Sequence, residues 1–124
     1  MANPFVHIEL QTGDVAKAKE FYSKLFDWKL EDLPMPGGSG TYTMINVGEG
    51  TGGGMVTSPA LGAPPHWLAY ISVDDVAAST TKAKSLGATV VQDVMAVGSY
   101  GWMSIIVDPT GATFALWKGR AKES

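Results

Sequence analysis

The chain has 124 residues, 45% of them hydrophobic and 17% charged, with a formal net charge of −3 and no cysteine. A chain of this length and apolar content is expected to fold as a single domain, residues 1–124. The lack of cysteine excludes disulfides, thiolate metal sites and a cysteine nucleophile. The nine lysines and arginines are dispersed, which argues against nucleic acid as a partner.

The N-terminal residues carry neither the basic start nor the apolar run of a secretory signal. No stretch approaches the length of a membrane span. We therefore predict a cytoplasmic protein without a membrane partner.

The first predicted elements are a strand and a helix. Val6, Ile8 and Leu10 alternate with polar residues, which is typical of a strand with one buried face. Asp14 follows and is expected to cap a helix. The predicted apolar stripe of this helix is Val15, Ala18, Tyr22 and Leu25.

Strand-like runs follow at residues 41–47 and 54–57. Residues 34–40 are predicted to form a hairpin loop, and residues 61–65 a linker. The three glycines at residues 52–54 are not followed by the Lys and Ser or Thr of a phosphate-binding loop. They instead indicate a bulged strand with close backbone approach.

The same order of elements recurs 61 residues later, where Asp75 takes the place of Asp14. A strand with Ala69, Ile71 and Val73 precedes a second capped helix. The stripe of that helix is predicted as Val76, Ser79 or Thr80, Ala83 and Leu86. Further strands are expected at residues 102–107 and 113–117, joined by a turn at residues 108–111.

The two predicted helices are expected to end differently. Gly87 is suited to a left-handed C-cap, whereas Asp27 or its neighbour would have to take that conformation under strain in the first half. Two tandem modules are implied, at about residues 1–60 and 65–120.

Several sequence segments resemble the glyoxalase, bleomycin-resistance and extradiol-dioxygenase superfamily. They are ELQTGD at 9–14, AKEFY at 18–22, LFDW at 25–28, PHWLAYISVDDV at 65–76, LGA at 86–88 and VDPTGA at 107–112. The resemblance covers nearly the whole chain. It implies an α+β fold in which two tandem βαβββ modules form a U-shaped mixed sheet around a central cleft, with helices on the outer face.

The resemblance also implies a divalent metal held by side chains from the first and last strand of each module. His7 matches the first such position. The other three correspond to Leu68, Ala115 and Gly54, which offer no side-chain ligand. About three protein ligands are needed for a catalytic site, so we predict no cofactor. The alternative is an improvised metal site of His7, Glu9 and His66.

Alternation on the first strand predicts that His7, Glu9 and Gln11 point away from the helix and onto the cleft wall. His7 and Glu9 are the candidate catalytic residues, although a structural pair or a dimer contact explains them equally well. Further ligand-binding candidates are Gln11, Tyr42, Met55, Tyr70, Trp102 and Trp117. Trp67, by its parity, is expected on the helix side.

Three functions remain open from the sequence. The first is a metal-independent protein that binds or converts a small organic molecule. The second is a metal-dependent lyase or dioxygenase. The third is a sequestering protein of the bleomycin-resistance kind. Members of the superfamily commonly form dimers, and exposed sheet edges favour this, so a homodimer is also predicted.

Overall fold

The structure is a computed structural model that describes residues 2–34, 40–57 and 64–120. Two helices and eight strands follow one another as two βαβββ repeats, which confirms the predicted α+β class. The first repeat comprises β1 (Phe5–Thr12), α1 (Val15–Leu25), β2 (Lys29–Pro34), β3 (Thr41–Asn46) and β4 (Gly53–Thr57). The second comprises β5 (His66–Ser72), α2 (Val76–Ser85), β6 (Thr89–Val97), β7 (Gly101–Val107) and β8 (Thr113–Gly119).

The chain divides into two compact units. The N-terminal unit is Val6–Leu68, and the C-terminal unit is the chain from Ala69 onward together with the first residues up to Phe5. Within the N-terminal unit the strand order is β2-β3-β4-β1, with β1 parallel to β4 and the other pairs antiparallel. Within the C-terminal unit the order is β5-β8-β7-β6, with β5 parallel to β8.

Both helices begin as predicted. The Asp14 carboxylate accepts a hydrogen bond from the Lys17 amide, and the Asp75 carboxylate accepts one from the Ala78 amide, each at 3.0 Å. These bonds satisfy amides that would otherwise lack a partner in the first turn.

The helix ends differ from each other. Gly87 has φ +101° and closes α2, as predicted. The strain predicted at Asp27 is wrong, because no non-glycine residue in the described part of the chain has positive φ. Helix α1 instead ends at Phe26, whose backbone is extended and whose amide bonds the Tyr22 carbonyl.

Each unit buries its core under its own helix. In the N-terminal unit Leu10, Ile45 and Met55 form the centre, and partly buried apolar residues pack around them: Val15, Ala18, Tyr22, Trp28, Leu30 and Val47. In the C-terminal unit the centre is Val76, Ile106 and Leu116.

The residues of each predicted apolar helix stripe are buried or partly buried, except the last residue of each stripe. Leu25 is 56% exposed and Leu86 is 67% exposed. The two residues are equivalent in the repeat, and each lies at the end of its helix, beyond the part that packs on the strands.

The loops are described only in part. Residues 108–111 form the predicted turn, in which the Asp108 carboxylate accepts from the amides of Thr110 and Ala112. Residues 35–39 of the predicted hairpin loop and residues 61–63 of the predicted linker lie outside the described residues. Neither described helix is long and apolar enough to cross a bilayer.

Candidate functional site

Strand β1 presents His7, Glu9 and Gln11 on the face opposite to the core, as alternation predicts. Leu10 pairs with Met55 and faces the helix, whereas Glu9 pairs with Gly54 and faces the other way. Glu9 and Gln11 are each only 7% exposed. A buried carboxylate and amide on a strand need polar partners, because leaving them unsatisfied is costly.

The partners form a continuous chain, which we call the polar row: Gln11, Glu9, Tyr42 and His7. The Gln11 amide donates to Glu9 Oε2 at 2.8 Å, and the Tyr42 hydroxyl donates to Glu9 Oε1 at 3.0 Å. The His7 Nε2 atom lies 2.7 Å from the same hydroxyl oxygen. Both carboxylate oxygens of Glu9 are therefore bonded within the row.

The hydrogen-bond directions assign the histidine tautomer. Because the Tyr42 hydroxyl proton goes to Glu9, the tyrosine oxygen can only accept from His7. His7 then carries its proton on Nε2, and its lone pair lies on Nδ1. The row thus aligns one carboxylate, one phenol and one imidazole along a single direction of proton donation.

Gly54 makes room for Tyr42. An added Cβ at Gly54 would collide with the hydroxyl and ring carbons of Tyr42. The phenol ring therefore lies over Gly54 and reaches His7 and Glu9 from β3, across the intervening strand β4. This relation was not predicted, since it depends on the register of three strands.

Burial lowers the pKa of His7 below its ordinary value, and attraction to Glu9 offsets part of this effect. The lowered pKa favours the neutral imidazole, which is the form that can accept a proton. Its neutral form is the one that the tautomer assignment describes.

The lowered pKa makes stability depend on pH with a defined sign. Below about pH 6.5 the unfolded chain protonates His7 before the folded chain does, so folding becomes less favourable as the pH falls. We expect the wild type to lose stability relative to His7→Gln from pH 7.5 down to the lowered pKa, with a slope below about 1.4 kcal/mol per pH unit. Urea denaturation at several pH values measures this difference. His66→Gln is the matched control. A wild type that instead gains stability relative to His7→Gln as the pH falls would contradict the lowered pKa of His7.

Two of the predicted ligand-binding residues lie elsewhere. Met55 is fully buried in the core beneath α1, and Trp102 packs against the core beneath α2 with Arg120 over its ring at 4.9 Å. Placing them on a ligand-facing wall was therefore wrong. Alternation could have shown this, because Met55 follows Gly54 and must point to the opposite face.

Tyr70 and Trp117 lie together in the C-terminal unit. Their rings meet edge to face at 6.2 Å, and the Tyr70 hydroxyl contacts the Met103 sulfur at 3.8 Å. By the repeat offset Tyr70 corresponds to Glu9, and Met103 to Tyr42. The C-terminal unit thus has a mainly apolar counterpart of the polar row.

The side chains do not fit the divalent metal that the resemblance implies. Leu68 and Ala115 are buried and have no donor atom, and the space beside Gly54 is taken by Tyr42. His66 bonds the Pro64 carbonyl through Nδ1 at 2.9 Å. Within residues 2–34, 40–57 and 64–120, no three His, Cys, Asp or Glu side chains are grouped as metal ligands.

Comparison with known proteins agrees with this architecture. The family model described as "Glyoxalase/Bleomycin resistance protein/Dioxygenase superfamily" matches residues 5–116. The chain belongs to this superfamily. It is 42% identical over 114 residues to "Putative glyoxylase CFP32" of Mycobacterium tuberculosis, covering 90% of this chain and 44% of that protein. It is 29% identical over 123 residues to "Anthracycline biosynthesis protein DnrV" of Streptomyces peucetius, covering 89% of this chain and 45% of that protein.

The chain thus spans less than half the length of these curated relatives of the superfamily. Among solved structures it is similar to hypothetical protein BH1468 of Bacillus halodurans, with TM-score 0.72, 13% identity and coverage of 100% of this chain and 99% of that one. It is also similar to methylmalonyl-CoA epimerase of M. tuberculosis, with TM-score 0.70, 15% identity and coverage of 94% and 88%. At such low identity these structures show a shared fold alone.

Proposed function

We propose that the protein binds a small organic molecule at the polar row and does so without a resident metal. The observation that carries the proposal is the row itself. A buried carboxylate, held by an amide and a phenol, stands next to a neutral imidazole on one strand face. Small-molecule sites commonly combine a few oriented polar groups with apolar surroundings.

The row would position a polar group of the ligand and exchange a proton with it. His7 accepts the proton and becomes an imidazolium. The nearby Glu9 charge stabilises that cation through Tyr42, which bonds both side chains. Gln11 holds the second oxygen of Glu9, so the carboxylate does not turn away from the tyrosine.

The names of the relatives agree with a small organic ligand, since one is called a putative glyoxylase and the other an anthracycline biosynthesis protein. Binding without turnover, as in sequestration, uses the same row. A turnover assay on each ligand found separates the two. The cytoplasmic location and the homodimer remain predictions.

Two substitutions test the proposed site. Ligands are first found by thermal shift against the wild type, since a bound ligand stabilises the folded state. Their affinities are then measured for Glu9→Gln and His7→Gln. We expect at least about a tenfold increase in Kd for each variant, which corresponds to about 1.4 kcal/mol. Such a loss is typical of removing one hydrogen bond to a charged group.

Glu31→Gln is the matched control for that experiment. It makes the same change of charge in the N-terminal unit, at an exposed residue of β2. Its affinities should equal those of the wild type. Ligands that bind both site variants as tightly as the wild type would place the binding site elsewhere.

A separate measurement tests the proposal that ligand binding needs no resident metal. Protein purified without chelator is expected to contain far less than one equivalent of Ni, Zn, Fe or Mn by elemental analysis, because the donor set is too small to hold such an ion. The affinity of each ligand should also be unchanged after treatment with EDTA. A near-stoichiometric metal that His7→Gln removes would contradict the proposal and favour a metal-dependent lyase or dioxygenase.

A further inference from the structure

A recess lies on the helix-facing side of the N-terminal unit. It has a volume of about 230 Å³ and is bordered by Ile8, Ile45 and Val47, by the rings of Trp28 and Trp67, and by residues 51–53. Ile8 lies between His7 and Glu9 on β1 and therefore points to the opposite face. The recess is thus separate from the polar row.

The rings of Trp28 and Trp67 form one side of this recess, and both rings pack against the ring of Tyr22. Trp28 and Trp67 meet edge to face at 6.4 Å and 80°. Tyr22 stacks on Trp28 at 5.7 Å and meets the Trp67 ring edge-on at 5.5 Å. Trp67 is nevertheless 39% exposed. Its apolar surface is therefore held in a fixed orientation without being fully covered.

The lining restricts the chemistry of an occupant. Among the described residues, none that borders the recess is charged, so this lining offers no ion-pair partner to an anion or a cation. A cavity of about 150 Å³ lined by apolar side chains is large enough for benzene. The present volume accommodates one six-membered ring with a small substituent, and the tryptophans offer it both ring faces and ring edges.

We propose that the recess between Trp28 and Trp67 binds one neutral aromatic ring of a small molecule. This site does not depend on the function proposed for the polar row. Without a charged contact the affinity for a single ring is modest, with a Kd on the order of millimolar.

The four tryptophans allow a direct test by NMR, because each indole N–H gives one resonance. The full chain is titrated with benzyl alcohol. We expect the Trp28 and Trp67 indole resonances to shift with saturation, while those of Trp102 and Trp117 in the C-terminal unit do not. Cyclohexylmethanol has the same number of heavy atoms but no aromatic ring, so it should bind several-fold more weakly.

Matched variants complete the test. Val47→Phe places a ring at the border of the recess and should abolish the shifts, whereas Val91→Phe, at a residue 61% exposed on β6, should leave them unchanged. If Val47→Phe does not fold, Trp67→Leu takes its place in the test. This variant keeps an apolar side chain but removes one wall of the recess, so it should weaken binding. Glu9→Gln should leave the shifts unchanged, which separates this site from the polar row. Equal shifts of all four indoles, no saturable shift, or equal binding of the two alcohols would overturn the proposal.

Discussion

Gly53→Ala is expected to lower the free energy of unfolding by about 3 kcal/mol. A Cβ at this position would overlap the carbonyl group of Ile8 on the paired strand β1. Because the obstacle is main chain, no side-chain rotation can relieve the overlap, and the β1–β4 pair must separate locally. Urea denaturation followed by circular dichroism measures the loss.

Gly13→Ala is the control for this prediction. Its Cβ would meet nothing within 4 Å, and its φ lies outside the left-handed range. The change should therefore be neutral or stabilise the fold by up to about 1 kcal/mol. If Gly53→Ala were within about 1 kcal/mol of the wild type, the close approach of β1 and β4 would be incorrect.

Gly54→Ala is expected to cost about 2 kcal/mol for a different reason. Here the added Cβ meets the phenol of Tyr42, which can move but then loses its bonds to Glu9 and His7. The cost should therefore depend on the tyrosine. In a Tyr42→Ala background the same glycine change should cost less than half as much.

A double-mutant cycle of these two residues measures the dependence directly. We expect a coupling energy of about 1–3 kcal/mol, the range found for residues in contact. Gly54→Ala alone should also lower the affinity for every ligand that the polar row binds, because the Tyr42 phenol no longer links the His7 imidazole to the Glu9 carboxylate. Additive effects within about 0.3 kcal/mol would show that the tyrosine does not lie over the glycine.

Local rules were sufficient to predict much of the fold from the sequence. The capping residues Asp14 and Asp75 begin the helices because their carboxylates bond amides three residues ahead. The strand period of two placed His7, Glu9 and Gln11 on one face. Neither rule needs knowledge of distant contacts, and both hold in the structure.

Predictions that depended on how neighbouring strands align in the sheet were less successful. Tyr42 was a candidate from the sequence, but its bonds to His7 and Glu9 depend on how β3, β4 and β1 align. Met55 and Trp102 were misplaced because large apolar side chains suit a core and a ligand wall equally well. Their faces follow only when one neighbour on the same strand has been placed.

The outer strands bear on how copies of this chain could associate. Strand β2 is the last in the order of its unit and carries Lys29, Glu31 and Asp32 before ending at Pro34. Strand β6 is the last in its unit and breaks register twice along β7. Charges, a missing amide and irregular pairing all disfavour the addition of a further strand. A homodimer that joined two copies edge to edge along β2 or along β6 is therefore disfavoured.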